Sequence, residues 1–273
     1  IPGYEWSGNT ALGGDRNVFF PNEGRTIRRS SHAMISDQTD IENDCHTATD
    51  LFEAFAKNKE FDVLGYAHCG GRYADINFAH DSRFEKSMEV HSSWGTFEWL
   101  VQDAFKLGLR TGIVANSDGH KGRPGASYPG ASQFGAIGGL TCFLSKSLNR
   151  QEILKCIRNR HHYASSGGPN GRPVINLNAT FSKEGILYHD DPRYIKNTGE
   201  KTNHALMGDI VKLSSGEMKI SVEIFTSSSI ERVEIFNGLE IEETIKPYKK
   251  ENIGKKIKIL WEGAEYRGRF REV

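Results

Sequence analysis

The most informative part of the sequence for chemistry is a short run in which a carboxylate and an imidazole stand two residues apart. Asp118 and His120 come directly after the apolar stretch 112–115. In extended backbone, side chains two positions apart point to the same side, so both groups are expected to face one space above a sheet. A carboxylate beside an imidazole suits Zn²⁺, Mn²⁺ or Fe²⁺. Taken alone, the pair more often marks a loop aspartate near a surface histidine than a metal site.

Three further segments end in residues of the same chemical types. Glu5 stands in the opening Gly-Tyr-Glu-Trp, and His68 closes the strand-like stretch 63–67. Glu89 and His91 close another stretch and repeat the spacing of two. Side chains at the ends of successive parallel strands converge on one rim of a barrel, where enzymes of that architecture assemble their sites. The sequence therefore predicts a metal site whose ligands are Glu5, His68, Glu89, Asp118 and His120.

Two basic segments are candidates for binding an anion. Residues 121–139 are rich in glycine and lack periodicity, which is typical of a substrate loop or of a mobile surface loop. Lys121 and Arg123 lie in this segment beside the predicted ligands. Arg160 lies in a basic group where a predicted helix ends. Its guanidinium is suited either to complementing the helix C-terminus or to holding a phosphate through paired hydrogen bonds.

The elements that must position these residues are short strands alternating with amphipathic helices. Apolar stretches predict strands at 17–20, 62–68, 87–91, 111–116 and 140–144. Apolar residues recur at helical spacing in 97–105 and in 48–58, and a third helix is expected to begin at Asn149. This alternation indicates βα units, and therefore a largely parallel sheet of the α/β class, over residues 1–170.

The pattern changes to a period of two in residues 171–273, which predicts a second, β-rich region resembling a small sandwich. Strands are expected at 174–181, 218–225, 230–236, 239–245 and 257–261. The dipeptide Asn237-Gly238 favours a tight hairpin turn between two of them. Residues 190–209 are polar and without periodicity, and we expect a long loop there.

Composition argues against several classes of protein. Lysine plus arginine equals aspartate plus glutamate at 35 each, so no global field favours nucleic acid or an anionic membrane. No apolar run approaches the roughly eighteen residues of a membrane span, which predicts a soluble chain without indicating its compartment. The four cysteines contain no C-x-x-C pair, which favours free thiols. Neither a Gly-x-Ser-x-Gly elbow nor a complete P-loop occurs.

Several of these segments resemble the PHP superfamily, named for polymerase and histidinol phosphatase domains, and most closely a bacterial branch known as a domain of unknown function. The resemblance covers residues 1–168 and rests on Gly3-Tyr4-Glu5-Trp6-Ser7 and on the runs 14–18, 67–73, 89–99 and 115–130. It implies a distorted (β/α)₇ barrel that holds two or three divalent ions, commonly zinc, manganese or iron, and hydrolyses phosphate esters.

The resemblance also assigns roles to individual residues. Glu5 matches a carboxylate that bridges metals, and His68 matches the histidine after the middle strand. Asp118 and His120 match the closing Asp-x-His, while Glu89 and His91 match a further family motif. The His-x-His of the first barrel strand is absent, so we expect the barrel to be incomplete at its N-terminal end, with that strand upstream of Ile1.

A second departure from the superfamily concerns Asn17, which stands roughly where many relatives carry another histidine. If the upstream strand is missing from the protein, the predicted metal site lacks ligands that the superfamily uses. The activity implied by the resemblance therefore depends on the ligands that this chain retains.

The leading hypothesis is a metal-dependent phosphoesterase that attacks a small anionic substrate with activated water. In this interpretation His91 transfers a proton to the leaving group and Arg123 stabilises developing charge. Two alternatives stay open, namely a C–N bond hydrolase of amidohydrolase type and a non-catalytic binding protein on a relic barrel. The side chains predicted to hold the substrate are Arg16, Arg72, Lys121 and Arg160.

Overall fold

The fold is mostly β. The computed structural model describes residues 1–120, 122, 137–167, 172–196, 198–249, 251 and 254. Within these residues lie fourteen strands and three α-helices, α1 (Ala48–Lys57), α2 (Glu98–Lys106) and α3 (Arg150–Asn159). The chain divides into two compact units, Ile1–Ser227 and Ser228–Val273. The first unit therefore continues well past residue 171, where the sequence periodicity changes.

The largest sheet has six strands and carries the predicted site residues. Its members are β1 (Gly3–Trp6), β2 (Arg16–Phe19), β3 (Leu64–Ala67), β4 (Glu85–Ser92), β5 (Gly95–Thr96) and β6 (Gly112–Ala115). β2 lies between β1 and β3 and is antiparallel to both. β4 is parallel to β3 on one side and to β6 on the other, and β5 folds back onto its end. Four of the predicted N-terminal strands are thus confirmed in this sheet.

The predicted (β/α)₇ barrel is wrong. Over the described ranges the sheet stays open, with β1 and β6 as separate edges and no closed barrel. A βα barrel requires parallel strands joined by helices. Here β1, β2 and β3 are antiparallel neighbours, and the connection from β3 to β4 contains no helix. Periodicity located the strands correctly, but it carried no information about their direction or connections.

Helices cover both faces of this sheet. α1 begins at a capping box in which Thr47 and Asp50 exchange side-chain and backbone hydrogen bonds. Its inner stripe, Leu51, Phe52 and Phe55, packs with Trp6, Val18, Phe20 and Phe84. α2 places Leu100 and Ala104 against Ala67 and Met88. On the other face, Ile157 of α3 packs against Leu64, Tyr66 and Val114.

A two-stranded antiparallel sheet lies beside the main sheet. β7 (Leu140–Phe143) pairs antiparallel with β8 (His162–Ser165), and α3 connects them. The helix begins as predicted, because the side chain of Asn149 accepts a hydrogen bond from the backbone of Glu152. His162 of β8 reaches Ser87 of β4, with Nε2 and Oγ 2.9 Å apart. This hydrogen bond connects the two-stranded sheet to the parallel part of the main sheet.

The rest of the first unit is a four-stranded antiparallel sheet built on one long strand. β9 (Val174–Tyr188) pairs with β10 (Glu200–Leu206), β11 (Ile210–Lys212) and β12 (Met218–Phe225). The strands predicted at 174–181 and 218–225 are confirmed. The loop predicted over 190–209 is wrong for β10, which is largely exposed and therefore carries no apolar stripe that periodicity detects.

The second unit contains one described hairpin. β13 (Val233–Asn237) pairs antiparallel with β14 (Glu240–Ile245), and Gly238 between them has a φ of 64°. The turn predicted from Asn237-Gly238 is confirmed. The strand predicted at 257–261 lies outside the described residues. Where the helices are described, none combines the length and apolar character needed to cross a lipid bilayer.

Candidate metal centre

Glu5, His68 and Asp118 come together at one end of the main sheet. Glu5 lies in β1, His68 directly follows β3, and Asp118 follows β6 by three residues. One potential ligand atom from each side chain lies within 4.8 Å of the other two. Nε2 of His68 is 3.7 Å from Oδ2 of Asp118. Three of the five predicted ligands therefore converge, each from a different strand.

Glu89 lies behind His68 rather than among the three converging side chains. Its Oε2 accepts hydrogen bonds from Nδ1 of His68 at 2.5 Å and from the backbone N–H of Cys69 at 2.9 Å. Its Oε1 accepts from the side-chain amide of Asn116 at 2.7 Å. A carboxylate that holds Nδ1–H of a histidine orients the ring and directs Nε2 toward a metal position. The structure thus gives Glu89 an orienting position, and not the predicted place as a direct ligand.

Negative charge dominates the surroundings of His68. Burial by itself lowers the pKa of His68, but the hydrogen bond to Glu89 and the charges of Glu89, Asp118 and Glu5 raise this pKa to about 9. Burial raises the pKa of Asp118, and the nearby His68 and His120 offset only part of that shift. The cluster is therefore rich in carboxylates that a bound cation stabilises.

One atom of the cluster has the environment expected of a metal ligand. Oδ2 of Asp118 is buried and has no hydrogen-bond partner among the described residues. A buried carboxylate oxygen without a donor is costly unless a cation lies against it. Two carboxylates and one imidazole also form an oxygen and nitrogen donor set suited to Zn²⁺, Mn²⁺ or Fe²⁺. The residues present thus fit a divalent cation, and the described part of the chain holds no second such group.

His120 lies beside Asp118 but not in the converging group. Its Nδ1 donates to the backbone oxygen of Asp118 at 2.8 Å, and its side chain is 46% exposed. The expectation that the two side chains share a face assumed extended backbone. Asp118 instead has a φ of 45°, in the left-handed region, and this breaks the alternation of side chains.

His91 is engaged through both ring nitrogens. Nδ1 lies 2.7 Å from Oγ1 of Thr96, and Nε2 donates to the backbone oxygen of Ile137 at 2.6 Å. The pairing of β4 with β6 also shifts register between Glu89 and His91. The regular alternation that would point both side chains to the same side of the sheet is therefore interrupted. The structure therefore gives His91 a structural position and leaves neither nitrogen facing a substrate.

Arg72 is the predicted substrate-binding residue that does lie at the site. Its Nε donates to both carboxylate oxygens of Asp15, at 3.1 and 3.2 Å, and its Nη2 lies 4.0 Å from Oε1 of Glu5. The side chain is 56% exposed, so it forms part of the rim. Lys121 and Arg123, the other predicted cations near the ligands, lie outside the described residues.

Asp15 is a site residue that sequence reasoning missed. It is buried at the start of β2, and burial raises its pKa to about 7 although Arg72 opposes that shift. The sequence offered one signal, a charged Asp15-Arg16 pair at the start of a predicted strand, but its spacing matches none of the predicted ligands. Asp15 anchors Arg72 and adds a further carboxylate beside the cluster.

Arg16 and Arg160 serve the fold, which corrects their predicted role in substrate binding. Arg16 is buried, lies 2.5 Å from Glu85 in an ion pair, and donates to the backbone oxygen of Ala79. Arg160 is buried at the C-terminus of α3, where its guanidinium donates to the backbone oxygens of Gly208 and His189. Buried guanidinium groups that hold backbone carbonyls are not accessible to a substrate.

Comparison with known proteins adds no relative. No family model matches the chain, and neither the curated proteins nor the solved structures yield a match. The resemblance to the PHP superfamily thus stays a prediction.

Proposed function

We propose that the chain is a metal-dependent hydrolase of phosphate esters, with a divalent cation held by Glu5, His68 and Asp118. The observation that carries the proposal is the convergence of three ligand-type side chains around a buried carboxylate oxygen that lacks a hydrogen-bond donor. When bound, zinc, manganese or iron supplies Lewis-acid activation of water and of the ester oxygen. A second or third ion, which the superfamily resemblance implies, stays a prediction.

The buried residues around the cluster prepare the ligands. Glu89 holds Nδ1–H of His68, so Nε2 faces Asp118 and does not turn toward the core. Asn116 and the backbone of Cys69 donate to Glu89 and keep its carboxylate fixed. Such supporting hydrogen bonds reduce the reorganisation required when a cation binds, which raises metal affinity.

Arg72 favours an anionic substrate over a neutral amide. Asp15 holds Nε of the guanidinium, and the side chain extends along the exposed rim beside Glu5. A guanidinium fixed on one side presents its remaining N–H groups to phosphate oxygens in paired hydrogen bonds. A C–N bond hydrolase acting on neutral amides has no need of this cation. Lys121 and Arg123 are further proposed contacts for the same anion.

The test replaces one ligand with its nearest uncharged analogue. Asp118→Asn keeps the size of the side chain, and asparagine tolerates the positive φ at this position. We expect bound metal, measured by elemental mass spectrometry after purification without chelators, to fall toward background. Hydrolysis across a panel of phosphate monoesters, phosphate diesters and amides is expected to drop at least about a hundredfold. Asp37→Asn removes an exposed carboxylate elsewhere and is the matched control.

Each outcome distinguishes the proposal from its alternatives. Full metal content and full phosphatase activity in Asp118→Asn contradict the assigned site. Metal binding with cleavage of amides alone supports the C–N bond hydrolase. Metal binding without turnover of any substrate class supports the non-catalytic binding protein.

A further inference from the structure

Among the described residues, the antiparallel sheet of the first unit ends in an edge strand, β12, with one unpaired side. β12 pairs with β9 over eight residues without a bulge, and no other described strand pairs with β12. Its sequence, MKISVEIF, contains no proline. A long, regular edge presents a row of unpaired backbone N–H and C=O groups, and such edges pair with further strands unless a bulge, a proline or a covering segment blocks them.

The two faces of β12 differ in polarity. Met218, Ile220, Val222 and Ile224 lie on one face, opposite apolar residues of β9 such as Phe181 and Leu177. Met218 and Ile220 remain 57% and 43% exposed. The other face carries Lys219, Ser221 and Glu223, opposite Thr180, Asn178 and Asn176. A strand that pairs with the open edge must match this alternation.

A second copy of β12 matches it in one register. Lys219 and Glu223 lie at equal distances on either side of Ser221, and both are exposed. When two β12 strands run antiparallel with Ser221 opposite Ser221, each Lys219 faces Glu223 of the second copy. The same register places Met218 opposite Ile224 and Ile220 opposite Val222.

Neighbouring registers lack this complementarity. Centring the pair on Lys219 or on Glu223 brings like charges together, which destabilises a strand pair. Centring it on Ile220 or Val222 leaves Lys219 opposite an uncharged residue. The positions of one lysine and one glutamate therefore select a single twofold arrangement, as a self-complementary interface requires.

We propose that two copies of the chain associate through their β12 edges, antiparallel and centred on Ser221. The two antiparallel sheets then become one continuous sheet across the twofold axis. The interface lies on a different sheet from the metal site and does not depend on the proposed hydrolase activity.

Charge reversal on the full chain tests the register. Sedimentation velocity over a concentration series is expected to show a monomer–dimer equilibrium for the natural sequence. Lys219→Glu places a glutamate opposite Glu223 of the second copy at both ends of the pair. We expect the dimer dissociation constant to rise roughly tenfold or more. Combining Lys219→Glu with Glu223→Lys restores the opposite charges and therefore the dimer. Lys183→Glu, on an exposed part of β9, is the control for the same change of net charge.

A cross-link provides an independent measurement of the same register. Ser221→Cys places two thiols opposite each other on the twofold axis, so mild oxidation is expected to give a covalent dimer. Lys219→Cys separates the thiols by several residues and is expected to give none, and the natural sequence controls for its own four cysteines.

The following results overturn the proposal. One is a monomer at every concentration, which is the result expected if another segment of the same chain covers the edge. Others are a dimer insensitive to Lys219→Glu, a double charge reversal that fails to recover association, and equal cross-linking at positions 219 and 221.

Discussion

At the scale of single residues, the buried hydrogen bond between Glu89 and His68 fixes the orientation of one proposed ligand. Glu89 is fully buried and uses both carboxylate oxygens to accept three hydrogen bonds, so it acts on the site through His68. Both oxygens of this glutamate are engaged by residues of the chain, and Glu89 lies outside the group of side chains that converge. Its contribution to the proposed metal site is therefore to orient His68, which a neutral substitute is expected to reproduce only in part.

Glu89→Gln tests this positioning role. Glutamine offers one neutral acceptor oxygen where three donors converge, so its amide N–H₂ must face one of these donors and the negative charge that holds Nδ1–H of His68 is lost. We expect the metal dissociation constant, measured by competition with a chelator of known affinity, to rise by about ten- to a hundredfold. Circular dichroism checks that the variant is folded. A folded variant with unchanged metal affinity contradicts the positioning role.

At the scale of elements, a buried histidine fixes β8 to the main sheet. Nδ1–H of His162 donates to the backbone oxygen of Ile113 at 3.2 Å, and Nε2 accepts from Oγ of Ser87 at 2.9 Å. Gly112 makes room for the ring, because a Cβ at that position would collide with it. Burial lowers the pKa of His162 to about 4, so the folded protein keeps this side chain neutral.

The lowered pKa of His162 predicts sensitivity to acid. The ordinary pKa is about 6.5 and the folded value is lower, so the unfolded chain takes up a proton first as the pH falls. The free energy of unfolding is therefore expected to decrease as the pH falls below about 6.5. Protonation of this group in the unfolded chain is expected to lower it by about 2 kcal/mol at about pH 5. The measurement is the free energy of unfolding in urea, for metal-free protein, at neutral pH and at about pH 5.

His162→Gln is the variant that isolates this effect. The glutamine amide retains one donor for Ile113 and one acceptor for Ser87 but does not titrate. Between neutral pH and about pH 5, the free energy of unfolding of this variant is therefore expected to fall by about 2 kcal/mol less than that of the natural sequence. His204→Gln changes an exposed histidine and serves as the control. Equal losses in the natural sequence and in His162→Gln would show that His162 does not set the acid limit.

At the scale of the whole molecule, the candidate site belongs to one of the two compact units. Glu5, His68, Glu89 and Asp118 all lie in Ile1–Ser227, and the contacts that orient them are formed within that range. Among the described residues of the second unit, none belongs to the cluster. Metal binding is therefore expected to be a property of the first unit.

Truncation after Ser227 tests the independence of the site. We expect the shortened chain to fold and to bind metal with a dissociation constant within about twofold of that of the longer chain, because the proposed ligands and the residues that orient them all lie in Ile1–Ser227. Competition titration measures the affinity, and circular dichroism compares strand content. A folded truncation that loses metal affinity would place part of the site in Ser228–Val273.

Local sequence patterns determined the elements and some of the chemistry. Apolar stretches located β4 and β6, period-two alternation located β9 and β12, helical spacing located α2, and Asn237-Gly238 identified the turn between β13 and β14. These features depend on neighbours in sequence, through backbone preference and one buried face, so no distant partner was needed. Ligand-type residues at strand ends likewise identified Glu5, His68 and Asp118.

Tertiary structure decided the features that depend on partners far apart in sequence. Strand direction and connection separate an open sheet from the predicted barrel, and neither leaves a trace in local periodicity. Glu89 became an orienting residue because His68 lies 21 positions earlier and faces it, and Arg160 became structural because Gly208 and His189 receive its hydrogen bonds. His120 left the group because Asp118 adopts a positive φ. A sequence gives the type of each side chain, but only the folded chain determines which charges and hydrogen bonds surround it.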